Sequence, residues 1–331
     1  MSTPRVLVTG GYGFLGQAIV RRLLDRGWQV RILSRKQPVQ SAHPLVEFFP
    51  GDISERTVVE AAVQSSDYVF HVAAKAGVWG PAAEYEKINV TGTENIVRAC
   101  QRFGVQALVH TSTPSVVFSG ESFRGADESL PYGKNWLGAY APTKARAEQA
   151  VLQAAHANLR ACALRPHLIW GPGDPHLIPR LLTSARQDRL RIIGSGENQV
   201  DVTHVETAAT AHLHALDALL AGRANGKAYF ISQGEPVRLW DFINTLLKGA
   251  GAPVIHKKIP LPLAYSMASC LEIIWRCTRA QSEPPLTRFV AVELAKDHWF
   301  NVSASQRDLN LPPALETWST LERYAATLRT K

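Results

Sequence analysis

The chain has 331 residues, 46% of them hydrophobic, enough for one large packed domain or a domain with a smaller lobe, which excludes an extended or disordered chain. Its 36 Lys and Arg against 28 Asp and Glu leave a net charge of +8, which favours acidic ligands or anionic surfaces. The cations are scattered without an aromatic-rich nucleic-acid motif, so no nucleic-acid partner is expected. Cys100, Cys162, Cys270 and Cys277 include no C-x-x-C pair, and the N-terminus carries no basic, apolar, small-residue leader; both point to reduced thiols, no metal site and a cytoplasmic protein.

Arg5-Val6-Leu7-Val8-Thr9 reads as a strand, after which Gly10, Gly11, Gly13 and Gly16 precede a helical pattern of Leu15, Ile19, Leu23 and Leu24. Strand, glycine loop and helix over 14–26 form the context that a dinucleotide-binding motif requires. Its glycines permit a tight turn, approach of a pyrophosphate to the backbone, and close packing of helix on strand. Phe14 and Leu15 open the helix, so its free amides face that anion. Further strands are expected at 30–34, 46–49, 68–72, 107–111, 161–164 and 228–231, with helices at 56–64, 85–103, 139–156 and 206–221. Such alternation predicts an α/β fold, a Rossmann-type doubly wound parallel sheet with helices on both faces. Residues 1–170, rejoined by 206–235, are expected to form the dinucleotide-binding domain, and 171–205 with 236–331 a smaller C-terminal substrate-binding lobe.

The end of the second strand bears on cofactor choice. An acid there would accept from a ribose 2′-hydroxyl, but no Asp or Glu stands between Asp25 and Glu47, and the place reads Ser34-Arg35-Lys36. Two cations suit a 2′-phosphate, so NADP(H) is expected over NAD(H); the alternative is that both are solvated loop charges. Asp52-Ile53 follows the third strand, where the carboxylate can meet the adenine amino group and Ile53 can pack on its ring, or Asp52 can cap the next helix.

Tyr140-Ala141-Pro142-Thr143-Lys144 places a phenol and an amine on one helix face. A phenol moves protons poorly near neutral pH unless its phenolate is stabilised, which a neighbouring ammonium does. Lys144 has donors left for the nicotinamide ribose hydroxyls. Thr113 and Ser112 end the fifth strand, at the crevice where parallel sheets bind ligands; either hydroxyl can hold a carbonyl beside Tyr140, or cap the next turn.

Together, Thr9-Gly10-Gly11-Tyr12-Gly13-Phe14-Leu15-Gly16, Asp52, Thr111-Ser112-Thr113, Tyr140 with Lys144, and Leu164-Arg165-Pro166 resemble the extended short-chain dehydrogenase/reductase superfamily. Ala73-Ala74-Lys75-Ala76-Gly77-Val78-Trp79-Gly80, Leu168-Ile169-Trp170-Gly171-Pro172-Gly173-Asp174 and Pro285-Leu286-Thr287-Arg288-Phe289 are similar to its 3β-hydroxysteroid dehydrogenase-like branch, and most to the bacterial 2-alkyl-3-oxoalkanoate reductases of olefin biosynthesis. The resemblance implies a Ser/Thr-Tyr-Lys oxidoreductase in which the family's serine falls on Thr113, with Ser112 one residue earlier. It further implies that Ala73, Ala74 and Lys75 form a loop beside the cofactor, that Pro166 lines the nicotinamide side, and that Asn89 supports the site.

Past Pro166 the alternation becomes irregular, and the lobe is expected to hold a large apolar substrate; His176 and His204 are weighed as substrate contacts against satisfied structural groups. The segment 259–275 is the most apolar, preceded by Lys257 and Lys258 and followed by Arg276 and Arg279. It is read as a buried lid or homodimer helix, with peripheral membrane contact as the alternative. The reading is a ketone reductase using NADP(H) on a 2-alkyl-3-oxo acid; its alternatives are a 3β-hydroxysteroid dehydrogenase using NAD(P)+ and a catalytically silent NADP(H) sensor.

Overall fold

The computed structural model describes residues 3–36, 43–156, 158–278, 280 and 282–329. Seven strands form one sheet in the order Ala228–Ile231, Arg160–Pro166, Ala107–Thr111, Tyr68–His71, Arg5–Thr9, Gln29–Ser34, Val46–Pro50. Every neighbouring pair is parallel. Strands of this kind are buried on both faces, which is why Val6, Leu7 and Val8 are all inaccessible. Alternation sends Val6 and Val8 to one face and Leu7 to the other.

Two helical layers cover those faces. On one, Phe14–Asp25 and Val205–Leu220 bury Leu15, Ile19, Leu23, Ala208 and Leu216 against Val6 and Val8. On the other, Arg56–Val63, Gly92–Phe103 and Tyr140–Gln153 bury Val59, Ile96 and Val151 against Leu7. Each fully buried Leu or Ile contributes about 2 kcal/mol. The chain reverses its direction across the sheet between Arg5–Thr9 and Tyr68–His71, and a crevice opens at that switch point.

The helix expected at 85–103 is broken. Ala82–Tyr85 leads into a π-turn over Glu86–Thr91 before Gly92–Phe103 resumes. The wider turn carries Asn89 inward, where its side chain bonds the amide and carbonyl of Lys75. Gly92 lies where a Cβ would come 2.7 Å from Ile53, so the helix can approach that side chain only without one.

Smaller sheets stand over the C-terminal edge. Val237–Arg238, Gln199–Val200, His298–Phe300 and Phe123–Ala126 make a four-stranded sheet, and Ile169–Trp170 pairs with Thr203–His204. The pairing of Phe123–Ala126 with His298–Phe300 ties the first half of the chain to its last third. The apolar 259–275 segment lies in a helix, Leu261–Cys277, that buries Ala264, Ala268 and Glu272 and exposes Leu263, Met267, Ile273 and Ile274. Arg279 lies outside the described residues. Among those described, no helix is long and apolar enough to cross a membrane.

The glycine loop sets a steric limit. A Cβ on Gly16 would stand 2.2 Å from the Gly10 carbonyl oxygen, whereas on Gly13 it would be 3.1 Å away. Gly16→Ala is expected to cost roughly 1–3 kcal/mol and lower Tm by several degrees, with Gly13→Ala costing clearly less. Thermal unfolding checks the order; equal losses would contradict the close-packing argument.

Candidate active site

A cavity of about 640 Å3 runs along the C-terminal ends of the strands. At one end lies the glycine loop. Gly10 takes φ +67°, its amide bonds the Leu33 carbonyl at 3.0 Å, and its carbonyl accepts the Gly13 amide at 2.8 Å. Phe14, Leu15 and Gly16 follow with no side-chain cap and no acid in the first turn, so the helix presents free amides to an anion.

Ser34, Arg35, Asp52 and Ile53 line the adjoining wall. Arg35 is exposed and forms no salt bridge with the described residues, whereas Lys36 is exposed and stands outside the lining. Asp52 does not cap the helix Arg56–Val63, whose N-cap is Glu55; its carboxylate accepts the Ser54 amide at 2.9 Å. Partial burial raises the Asp52 carboxyl, but Ser54 and the Arg35 and Lys87 charges bring it below the ordinary range.

Ala73, Ala74 and Lys75 line the floor, held from both sides. Thr9 Oγ1 accepts the amides of Val72 and Ala73 at 3.1 Å each. Asn89 takes the Lys75 amide at 2.7 Å and donates to the Lys75 carbonyl at 3.1 Å and to Thr143 at 3.2 Å. Thr9 continues to His71 Nδ1 at 2.8 Å, and His71 Nε2 to Thr93 at 2.9 Å. Thr9 and His71 carried no local signal of this duty, since a polar residue in an apolar strand does not reveal its partner.

Thr113, Tyr140, Lys144 and Pro166 line the same cavity. Burial raises the pKa of the Tyr140 phenol, and the Thr113 hydroxyl offsets part of the rise. Thr113 Oγ1 also accepts the Ser115 amide at 3.2 Å. Ser112 lines the cavity too, its hydroxyl buried with no hydrogen-bond partner among the described residues, whereas the Thr113 hydroxyl is the one that bears on the Tyr140 phenol. Lys144 lies one turn on and is 1% exposed; its Nζ donates to the Thr111 carbonyl at 2.7 Å and to His110 Nε2 at 3.2 Å. Burial pulls the amine down to about 8, with Glu148 opposing.

The helix that presents both groups is clamped to the sheet. Arg165, on the strand Arg160–Pro166, makes two bonds of 2.6 and 3.0 Å to the fully buried Glu148, which also accepts the Tyr132 hydroxyl at 2.8 Å. His204 and His176 are not in the lining. His204 accepts the Glu206 amide and caps Val205–Leu220, while His176 is exposed at the start of Leu177–Arg186.

Residues 7–263 match the family model of the 3-beta hydroxysteroid dehydrogenase/isomerase family. The 2-alkyl-3-oxoalkanoate reductase of Stenotrophomonas maltophilia is 45% identical over 327 residues, covering 98% of this chain and 99% of the relative. The 3 beta-hydroxysteroid dehydrogenase/Delta 5-->4-isomerase of Mycobacterium tuberculosis is 36% identical, with 96% and 88% covered. Among solved structures, that of gox2253 superposes with a TM-score of 0.78 at 26% identity over 99% of this chain and 98% of its own. The glycine loop, the strand-end hydroxyl, and the Tyr140–Lys144 pair thus stand in a chain that belongs to the 3-beta hydroxysteroid dehydrogenase/isomerase family and is an NAD(P)-dependent oxidoreductase.

Proposed function

We propose that the protein reduces the ketone of a large apolar 3-oxo acid of the 2-alkyl-3-oxoalkanoate type, using NADPH. The observation that carries this reading is that Tyr140, Thr113 and the buried Lys144 line one cavity, with the Thr113 hydroxyl bearing on the phenol. The 45% identity with a 2-alkyl-3-oxoalkanoate reductase supports the substrate class. The residues present suit a dinucleotide phosphate: uncapped amides at Phe14, Leu15 and Gly16 for the pyrophosphate, and Arg35, without a salt bridge among the described residues, where a 2′-phosphate would stand. Asp52 and Ile53 would flank the adenine, Ala73, Ala74 and Lys75 the path between, and Pro166 the nicotinamide. In this reading residues 1–170 and 206–235 serve the cofactor, and 171–205 with 236–331 the substrate.

Held by these residues, NADPH would supply a hydride for the carbonyl carbon. As the carbonyl oxygen becomes an alkoxide, Tyr140 gives it a proton and Thr113 donates a hydrogen bond to the same atom. Lys144, held by the Thr111 carbonyl and His110, keeps a positive charge near the phenol and eases departure of that proton. The reverse reaction uses the same groups. A neutral 3-hydroxysteroid is the second reading, favoured by the match to the steroid dehydrogenase family model and by the apolar lobe.

Turnover of a 2-alkyl-3-oxo acid with NADPH tests the assignment, against a 3-ketosteroid under the same conditions. Tyr140→Phe is expected to keep NADPH binding and lose at least about a hundredfold in kcat, the scale of one general acid; unchanged kcat would sink the role. Arg35→Ala is expected to raise KM for NADPH by roughly tenfold and leave KM for NADH in place, the scale of one charge-assisted contact. Equal effects on both cofactors would remove the 2′-phosphate argument.

Reduction needs protons on both Tyr140 and Lys144, and burial brings Lys144 down to about 8, so turnover is expected to fall as pH rises through that value. His110→Leu removes an acceptor of the ammonium and is expected to move the fall to lower pH. A pH–rate profile that is the same in both proteins would count against the arrangement.

A further inference from the structure

A small cavity of about 20 Å3, room for one water or one ion, lies between the turn that follows Thr113 and the strand His298–Phe300, and shares no lining residue with the candidate active site. His167, Glu293 and His298 line it, and each offers one ligand atom within 4.8 Å of the others. Both imidazoles are buried, and their rings stack at 4.8 Å with an interplanar angle of 18°. They stand 131 residues apart in sequence, so no local spacing announces them. The expectation of no metal site rested on the cysteines, which do not line this cavity.

The protons of this pair can be placed. A neutral His298 must donate from Nε2 to the Glu293 carbonyl oxygen at 2.7 Å, so its Nδ1 is a lone pair. That lone pair accepts from His167 Nε2 at 3.0 Å. His167 Nδ1 is then a second lone pair, buried with no hydrogen-bond partner among the described residues. The two rings thus hold one lone pair more than their bonds use. When the His167 proton sits on Nδ1 instead, two ring nitrogens face each other as lone pairs at 3.0 Å. Two nitrogens on one tetrahedral zinc stand roughly 3.3 Å apart, given Zn–N bonds of about 2.0–2.1 Å. Each ring keeps an N–H for the backbone behind it: His298 for the Glu293 carbonyl, and His167 for Asp201, whose backbone favours a proton on that ring.

Charge also suits a cation. The Glu293 carboxylate lies 3.6 Å from His298 Nε2 and is 24% exposed, so it has room to turn inward. Glu121 lines the same cavity, and the two carboxylates face one lining cation, Lys296.

We propose that His167, His298 and Glu293 form a zinc site, with Glu121 or a water as fourth ligand. Two imidazoles with a carboxylate select zinc over magnesium, which takes oxygen ligands. The ion braces the edge of the active site, because Ser115 lines this cavity and its amide and hydroxyl each lie 3.2 Å from Thr113 Oγ1. The site is independent of which substrate Tyr140 serves.

The test is zinc binding by metal-stripped protein, read by calorimetry and thermal unfolding. It uses Cys270→Ser/Cys277→Ser protein, since those two exposed thiols are a competing place for zinc. One zinc per chain is expected, with a Kd of about 1 µM or tighter, a Tm raised by several degrees, and no displacement by millimolar magnesium. X-ray absorption of the loaded protein is expected to show two imidazole ligands. Glu293→Gln keeps the backbone carbonyl that His298 needs; it should weaken zinc binding at least about tenfold and abolish the rise in Tm. Zinc binding that Glu293→Gln leaves unchanged, or fewer than two imidazoles on the metal, would overturn the site. So would failure to bind zinc at all, which would leave the cavity to a water.

Discussion

A parallel sheet buried on both faces must satisfy the polar groups at the C-terminal ends of its strands, and the way it does so sets the shape of the site. Thr9 spends both lone pairs on the amides of Val72 and Ala73, so its one proton goes to His71 Nδ1. His71 must then carry its proton on Nε2 and give it to Thr93, which donates in turn to the Asn89 carbonyl at 2.6 Å. Burial, helped by the Lys144 charge, holds His71 down to about 3, so the relay of bonds stays neutral. The π-turn is part of the same arrangement, because it brings Asn89 to the Lys75 backbone. The floor of the cavity is thereby fixed before any ligand arrives.

Charged groups are buried only where partners can meet them. Arg165 and Glu148 are nearly inaccessible and joined by two bonds, and removing one member of such a pair costs about 3–5 kcal/mol because the other charge is stranded. That pair locks the helix Tyr140–Gln153 in register against the strand Arg160–Pro166, so the positions of Tyr140 and Lys144 depend on it. Lys144 is satisfied differently, by a carbonyl and a neutral imidazole, and burial holds its amine down to about 8. Donating to His110 Nε2 requires the His110 proton on Nδ1, and that atom has no partner. An unmatched buried donor costs about 1–3 kcal/mol.

Beside the cavity of the candidate active site lies a second, of about 800 Å3, lined by Tyr85, whose ring stands edge-on to Tyr140. The first is polar at its glycine end and suited to phosphates; the second is lined by Trp79, Trp136 and Trp275 and, among the described residues, by Arg276 and Arg288 without a carboxylate. The helix Leu261–Cys277 serves the second through its final turn, where Trp275 and Arg276 point to the cavity, while Glu272 anchors it to Arg288 from within. An apolar helix thus contributes through its few polar residues as much as through its hydrophobic length.

Local chemistry was legible from the residues alone. The strand periods, the glycine loop and the spacing of Tyr140 and Lys144 are properties of neighbours, and each fell where the sequence pattern put it because short-range sterics and helix geometry decide them. The choice between Ser112 and Thr113 was not local: both line the cavity, and only the position of Tyr140 shows which hydroxyl bears on its phenol. Tertiary packing alone paired Lys144 with His110, Thr9 with His71, and Glu148 with Arg165, because a buried polar group takes whichever partner the fold brings within reach. It alone gathered Trp79, Trp136 and Trp275 around one space and set two guanidiniums against a single carboxylate, since sequence separation carries no record of which distant side chains will share a cavity.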